Sequence, residues 1–167
     1  MRRKGKELEN DARENPCFGC GPGNRSGLRM RFFDDGAVVR SEVAPRPEFE
    51  GWPTNWNLGL AVTAAIETGG WALWERLGPA TLAGPLSVEG LGRLRLSEAL
   101  RVEARLITRA RRHKMVSTVY QRGKPVLRVS MPVVPLSAAQ SKLVLQAYPG
   151  MPKSMRPAYE ALAGPAR

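Results

Sequence analysis

Apolar and polar side chains alternate through several segments of the chain, and a period of two predicts half-buried β-strands. The turn-forming Asp34-Asp35-Gly36 separates the first two segments and predicts a hairpin. Arg122-Gly123-Lys124 separates the last two segments in the same way. The predicted strands span residues 28–33, 37–43, 88–96, 100–109, 115–121 and 125–134.

A run of residues with almost no charge interrupts this pattern, because between residues 51 and 74 the only charged side chain is Glu67. The run predicts a helix over Leu58–Leu77, capped by Asn55 or Asn57 and ended by a Gly-Pro pair. Small residues fill the helix and it is apolar nearly all round. That composition is typical of a helix that protein encloses on most sides.

The order of these elements predicts an α+β fold, in which an antiparallel sheet of about five to six strands wraps around one central helix. The length of 167 residues fits one domain. We expect a charged N-terminal tail over residues 1–15 and the domain itself over 16–135. A Pro- and Ala-rich extension over 136–167 is expected to hold short helices such as 155–163.

The position of Glu67 raises a specific question. A carboxylate in an apolar helix is costly to bury unless it is paired, neutralised or used in function. One interpretation is structural, with the carboxylate held by backbone amides, an arginine or a partner subunit. The other is a direct part in catalysis or ligand binding. The residues alone leave both interpretations open.

The net charge of +11 and the pI near 10.6 indicate an anionic partner: nucleic acid, a phosphorylated cofactor or an anionic membrane. Nine basic residues lie between positions 101 and 128, together with a single acid, Glu103. Aromatic residues are not interleaved with them and the sequence has no recognition motif. A basic nucleic-acid-associated protein is therefore the weaker alternative. A solvated basic face of the sheet explains the same charges.

Two features favour a cytoplasmic protein without a membrane partner. The first residues are polar and lack the apolar core of a signal peptide. The uncharged run is too short to span a membrane, and Glu67 and Gly69-Gly70 interrupt it.

The two cysteines form the motif C17-F-G-C20-G, which supplies half of a tetrahedral zinc site. His113 is the only histidine, and we expect it in an exposed loop. A metal would need a second copy of the chain or a non-standard ligand set, so reduced thiols in a tight turn are the favoured interpretation, with no metal and no cofactor. No predicted helix follows Cys20, so the sequence does not support an activated redox thiol.

Two longer segments carry a resemblance to a known family. CFGCGPGNRSGLRMRFF resembles the C-F-x-C-G-x-x-N-x-x-G-L segment that precedes the first strand in hotdog-fold acyl-CoA thioesterases of the phenylacetate-pathway type. EGWPTNWNLGLAVTAAIETGGWALW is similar to their central motif, E-G-x-P-x-x-x-H-G-G-x-x-x-x-x-L-x-D-E-x-x-G-W-A. The resemblance covers about residues 16–135. The matched positions are Glu50, Gly51, Pro53, Gly59, Glu67, Gly70, Trp71 and Ala72.

The departures from the motif fall on its catalytic positions. Asn57 stands for the histidine, Leu58 for the first glycine and Ile66 for the aspartate that serves as base or nucleophile. The resemblance implies that the backbone N–H of Leu58 meets a thioester carbonyl at the positive end of the helix dipole. Ile66 offers no proton chemistry. Sliding the alignment by one residue places Gly59 and Glu67 at the glycine and acid positions, although the ungapped register is preferred.

The resemblance implies an acyl-CoA thioesterase-like protein that hydrolyses or binds a thioester at the N-terminus of the helix. The alternative within the family is an inactive protein that binds acyl-CoA or another hydrophobic ligand. A homodimer or homotetramer is expected. The candidate catalytic residues are Glu67, Asn57 and Gly59, and the candidate ligand-binding residues are Leu58, Ile66, Arg109, Arg111 and Arg112, of which the arginines would bind phosphates of coenzyme A. Asn57 has a second interpretation as a helix cap.

Overall fold

An antiparallel sheet curls around one long helix in the computed structural model of the chain. Eight strands and three α-helices lie within the residues that the structure describes, 5–148 and 151–164. The strands are β1 Lys6–Leu8, β2 Phe32–Asp34, β3 Val39–Val43, β4 Ala80–Leu82, β5 Ser87–Gly90, β6 Leu100–Arg109, β7 Arg112–Gln121 and β8 Lys124–Pro135. The helices are α1 Leu58–Leu77, α2 Ala138–Ala147 and α3 Arg156–Ala163.

The strand order is β1-β2-β3-β6-β7-β8-β4, and β5 also pairs with β8. Every pairing is antiparallel. The predicted fold class is confirmed, but the sheet has more strands than the five or six expected. The additional strands are β1 and β4, with three residues each. The strand predicted over 88–96 is present as β5, but it ends at Gly90. β8 has 12 residues, so its outer edge accommodates both β4 and β5.

Helix α1 has the predicted bounds. The Asn57 side chain accepts a hydrogen bond from the backbone N–H of Gly59 at 2.9 Å, which caps the helix start. At the other end Gly78 has φ +70°, and its N–H donates to the Trp74 carbonyl at 2.9 Å. This left-handed conformation favours glycine and ends the helix.

The apolar core lies between α1 and the concave face of the sheet. Ala61, Ala64 and Ala65 are fully buried along the helix. A Cβ added to Gly69 would lie 2.6 Å from the Met115 sulfur on β7, so this glycine permits close approach of helix and strand. The buried side chains of the sheet include Phe32, Val39, Leu100, Val102, Val119 and Val129.

The N-terminal segments differ from the predicted pattern. Residues 6–8 were expected in a charged tail but pair with β2, where the Arg31 guanidinium also donates to Glu7 at 2.7 Å. The predicted strand 28–33 pairs with other strands only from Phe32 onwards, because the backbone before Phe32 is hydrogen-bonded to the cysteine loop instead. Leu28 donates to the Phe18 carbonyl at 2.7 Å and Met30 to the Gly19 carbonyl at 3.0 Å.

The C-terminal extension folds back over the end of α1. A capping box at Ser137 and Gln140 starts α2, and α3 corresponds to the predicted helix 155–163. The rings of Trp74 and Tyr159 stack at a centroid distance of 5.8 Å. No helix in the part of the chain that the structure describes is both long enough and apolar enough to cross a membrane.

Candidate functional site

The loop that carries the two cysteines is fixed by hydrogen bonds along its backbone. The Cys17 N–H donates to the Asn15 side chain at 2.9 Å, and the Cys17 carbonyl accepts from Gly21 at 2.9 Å. The next three carbonyls also accept hydrogen bonds. The Phe18 carbonyl accepts from the Leu28 N–H and the Gly19 carbonyl from the Met30 N–H. The Cys20 carbonyl accepts from the Asn10 side chain. Because its peptide groups are held in this way, the loop presents both thiols in a defined position.

Glu67 meets this loop from α1. Its Oε1 lies 3.6 Å from the Cys17 sulfur, and the ligand atoms of Cys17, Cys20 and Glu67 all lie within 4.8 Å of one another. A Cβ added to Gly19 would lie 2.2 Å from the Glu67 Cγ, so a side chain there would push the two elements apart. We call these three side chains the thiol–carboxylate cluster.

Protonation in the cluster is strongly perturbed. Burial, together with negative charge on Cys17, raises the pKa of Glu67 to about 7. Hydrogen bonding from the Cys20 thiol, and less strongly from backbone N–H groups of Cys20 and Gly19, lowers the pKa of Cys17 to about 5 against the opposing effect of burial. The pKa of Cys20 is raised because its proton is held by Cys17 and because it is buried. The protonation of Glu67 therefore depends on the protonation of the two thiols.

A cavity of about 260 Å³ lies beside the cluster. Apolar walls come from Ile66, Trp71, Leu82 and Met155, and polar groups come from Asn10, Asn15 and Tyr148 in addition to the cluster. The Asn15 side chain donates to the Tyr148 hydroxyl at 2.6 Å. Sequence reasoning missed these polar residues, because they flank the loop or come from the C-terminal extension and match no motif.

The start of α1 forms a second region, separate from the cluster. The N–H of Gly59 is already donated to the Asn57 side chain. Among the described residues, no acceptor is hydrogen-bonded to the backbone N–H of Leu58, whose residue is 54% exposed. Glu67 lies nine residues further on, about 13 Å along the helix axis. The structure thus groups Asn57, Leu58 and Gly59 at one place and Ile66 with Glu67 at another within the chain.

The predicted phosphate-binding arginines lie on the hairpin between β6 and β7. Arg109 pairs with Arg112 across the turn, and Arg111 has φ +63° within it. All three side chains are exposed. β6 begins at Leu100, near the helix start, and ends at this turn about 30 Å away. Within one chain the structure does not bring these arginines to the start of α1.

A cavity of about 480 Å³ lies beside the helix start instead. Arg46 and Arg95 line it together with Pro45, Glu50, Thr54 and Ser97. Sequence reasoning missed both arginines, and Arg95 could not have been placed there because a bridge to Asn55, forty residues earlier in the chain, brings it to the helix start.

His113 lies outside both regions. It was expected in an exposed loop, but it belongs to β7 and is partly buried. Its Nδ1 lies 2.9 Å from the Thr108 hydroxyl on the paired strand.

No protein-family model matches the chain, and no curated protein matches it. Solved structures do match it. A thioesterase superfamily protein is 19% identical, with a TM-score of 0.61 over 73% of this chain and 63% of that one. A variant of the phenylacetic acid degradation protein PaaI from Thermus thermophilus is 17% identical, with a TM-score of 0.58 over 65% of this chain and 95% of that one.

A third structure is a hypothetical thioesterase protein with coenzyme A from Streptococcus pneumoniae. It is 13% identical, with a TM-score of 0.53 over 59% of this chain and 80% of that one. This chain has the hotdog fold. At these identities the likeness concerns the fold, and the match spans less than two thirds of the first protein's own length.

Proposed function

We propose that this hotdog protein binds an acyl thioester, with acyl-CoA as the ligand class, at the start of α1. The observation that carries the proposal is the backbone N–H of Leu58, which has no acceptor among the described residues. In the ungapped register this residue stands where the thioesterase motif has the glycine that donates to the thioester carbonyl. A fixed N–H at the positive end of a helix dipole stabilises charge that develops on that oxygen.

The 480 Å³ cavity beside the helix start supports a phosphate-bearing ligand. Of its two arginines, Arg46 already donates to the Gly27 carbonyl and pairs with Glu48, whereas the exposed Arg95 guanidinium has no side-chain partner among the described residues and could pair bidentately with phosphate. The coenzyme A in the pneumococcal neighbour is the same class of ligand. Binding by Arg109, Arg111 and Arg112 stays a prediction, and in a homodimer or homotetramer these arginines would serve a ligand held by another copy.

Hydrolysis of the bound thioester is the second candidate function. Ile66 at the acid position argues for binding without turnover, because it cannot act as base or nucleophile. Glu67 favours turnover in an assembly in which the cavity that it borders with Ile66 faces the helix start of another copy, because the two regions lie about 13 Å apart within one chain. Measuring the release of coenzyme A from acetyl-, octanoyl- and benzoyl-CoA distinguishes binding alone from hydrolysis. Loss of turnover in Glu67→Ala, but not in Glu75→Ala, would assign Glu67 to the hydrolysis.

The substitution Leu58→Pro tests the proposed donor. Proline at the first helical position is tolerated, yet it removes the N–H. The preceding residue Asn57 has φ −59° and ψ 121°, which suits a residue before proline. We expect acyl-CoA binding to weaken about three- to tenfold, as for one hydrogen bond. If the protein is active, turnover falls about 10²- to 10³-fold. Titration calorimetry and the release assay measure the two effects.

Leu58→Ala is the matched control, because it shortens the same side chain and keeps the N–H. We expect it to bind acyl-CoA like the unsubstituted chain. Equal binding by Leu58→Pro and Leu58→Ala, with the helical circular dichroism of both variants intact, would exclude this N–H as the donor. A chain that binds none of the three acyl-CoAs would contradict the proposed function itself.

A further inference from the structure

We propose that Cys17, Cys20 and Glu67 bind one zinc ion. This inference concerns the thiol–carboxylate cluster and does not rest on the thioester proposal. The sequence offered only the two thiols of a single C-x-x-C motif, which is half of a site. The fold supplies the third ligand from α1, fifty residues further along the chain, and thereby makes a metal site within one copy.

The distances fit tetrahedral coordination. With zinc–sulfur bonds of about 2.3 Å and a zinc–oxygen bond of about 2.0 Å, the edges of a tetrahedron are about 3.8 Å between sulfurs and about 3.5 Å between sulfur and oxygen. The Cys17 sulfur lies 3.6 Å from Glu67 Oε1, and no ligand atom lies more than 4.8 Å from the others. Small side-chain rotations bring all three atoms onto one ion.

Charge favours a cation here. Glu67 forms no ion pair with any described residue, although the chain carries 26 Lys and Arg residues. Once both thiols are deprotonated, as metal ligands are, the two thiolates and the carboxylate carry three negative charges, and no cationic side chain among the described residues pairs with Glu67 to offset them. All three side chains are partly buried, and charges withdrawn from water are commonly paired or coordinate metals. Zinc is the divalent ion that thiolate ligands favour, and it usually binds with tetrahedral geometry.

The surroundings hold the ligands before any ion binds. Hydrogen bonds from Asn10 and to Asn15 fix the loop on either side of the cysteines, as outer-shell groups do in metal sites. Gly19 provides the space in which Glu67 reaches the thiols. The fourth position faces the 260 Å³ cavity, where water or a small ligand would complete the coordination.

The first test measures zinc content in the full chain, purified under reducing conditions without an affinity tag. We expect about one zinc per chain for the unsubstituted protein and for Glu75→Gln, which removes an acid two turns further along the same helix. Cys17→Ser and Cys20→Ser should retain almost none. Glu67→Gln should bind zinc at least about tenfold more weakly than Glu75→Gln in a competition with a chromophoric chelator.

The second test uses the unsubstituted protein alone, so that it does not depend on the folding of variants. Chelator-treated chain is titrated with Co²⁺, and we expect thiolate-to-cobalt absorption in the near ultraviolet with the visible bands of a tetrahedral site, both abolished by one equivalent of Zn²⁺. Absence of the thiolate band would overturn the proposal. Equal zinc affinity in Glu67→Gln and Glu75→Gln would overturn the three-ligand site.

Discussion

Gly19 decides how closely the cysteine loop approaches helix α1. Its missing side chain leaves the space that the Glu67 carboxyl group occupies, and a Cβ there would lie 2.2 Å from Glu67 Cγ and 2.5 Å from Cδ. We therefore expect Gly19→Ala to lower the free energy of unfolding by about 1–3 kcal/mol, as overpacking does. It should also weaken zinc binding, because Glu67 is pushed away from the thiols. Urea unfolding and the chelator competition measure these effects.

Gly90→Ala is the control for this substitution, because a Cβ at Gly90 would meet no heavy atom within 4 Å. Its free energy of unfolding should change by no more than about 0.5 kcal/mol. A Gly19→Ala chain as stable as Gly90→Ala, with unchanged zinc affinity, would show that the loop and helix are not in this close contact.

The residue-scale prediction from sequence was partial for a physical reason. Glu67 could be singled out because a charge in an apolar helix is costly wherever the helix is buried. Its partners could not be inferred, since Cys17 and Cys20 reach it through the packing of a loop fifty residues away. The roles predicted for Asn57, Gly59 and Ile66 in binding or catalysis stay predictions, although Asn57 does cap the helix.

An ion pair joins the last turn of α1 to strand β2. The Arg76 guanidinium donates to both carboxylate oxygens of Asp34, at 2.9 and 2.6 Å. This hydrogen bonding lowers the pKa of Asp34 below its ordinary value of 3.8. Since the folded-state pKa is depressed, the pair stabilises the fold above pH 3.8, and this contribution is lost as the pH falls through the folded-state pKa.

We expect Arg76→Gln to lower the free energy of unfolding by about 0.5–1 kcal/mol at neutral pH, since the pair is partly exposed. The difference from the unsubstituted chain should stay constant down to about pH 4 and shrink at lower pH. Urea unfolding at several pH values measures it. Arg128→Gln, which breaks the exposed pair with Glu89, is the control and should have a smaller effect. A difference for Arg76→Gln that persists undiminished at about pH 2.5–3 would contradict the assignment to Asp34.

Elements with local signals at both ends could be predicted, and elements defined by their neighbours could not. Helix α1 has a capping asparagine before it and a Gly-Pro pair after it, so both bounds followed from the sequence. Strand β6 matches its predicted range because ten residues give a clear period of two. Strands β1 and β4 have three residues each and are too short to show any period, and they form because each pairs with the free edge of a strand already in the sheet, β2 and β8 respectively.

At the scale of the whole molecule, strand β5 forms an apolar edge of the sheet that the described residues of the single chain leave exposed. Every residue of β5 is exposed, and three apolar side chains on and beside it are between 38% and 45% exposed. They are Leu86, Val88 and Leu91. An exposed apolar edge strand is a surface on which another strand pairs. We therefore expect the homodimer implied by the family resemblance to form along β5.

Val88→Lys tests this arrangement, because a charge on an edge strand opposes pairing with a second strand. We expect the unsubstituted chain to sediment as a dimer or tetramer at micromolar concentration, and Val88→Lys to associate at least about tenfold more weakly, since an unpaired lysine would be buried in the contact. Leu143→Lys places the same charge on an exposed apolar residue of α2 and should leave association unchanged.

A monomeric unsubstituted chain would contradict the expected assembly, and unchanged association of Val88→Lys would place the contact on another surface. Because the β6–β7 hairpin lies about 30 Å from the helix start of its own chain, a monomer would also remove the only route by which Arg109, Arg111 and Arg112 reach the proposed ligand.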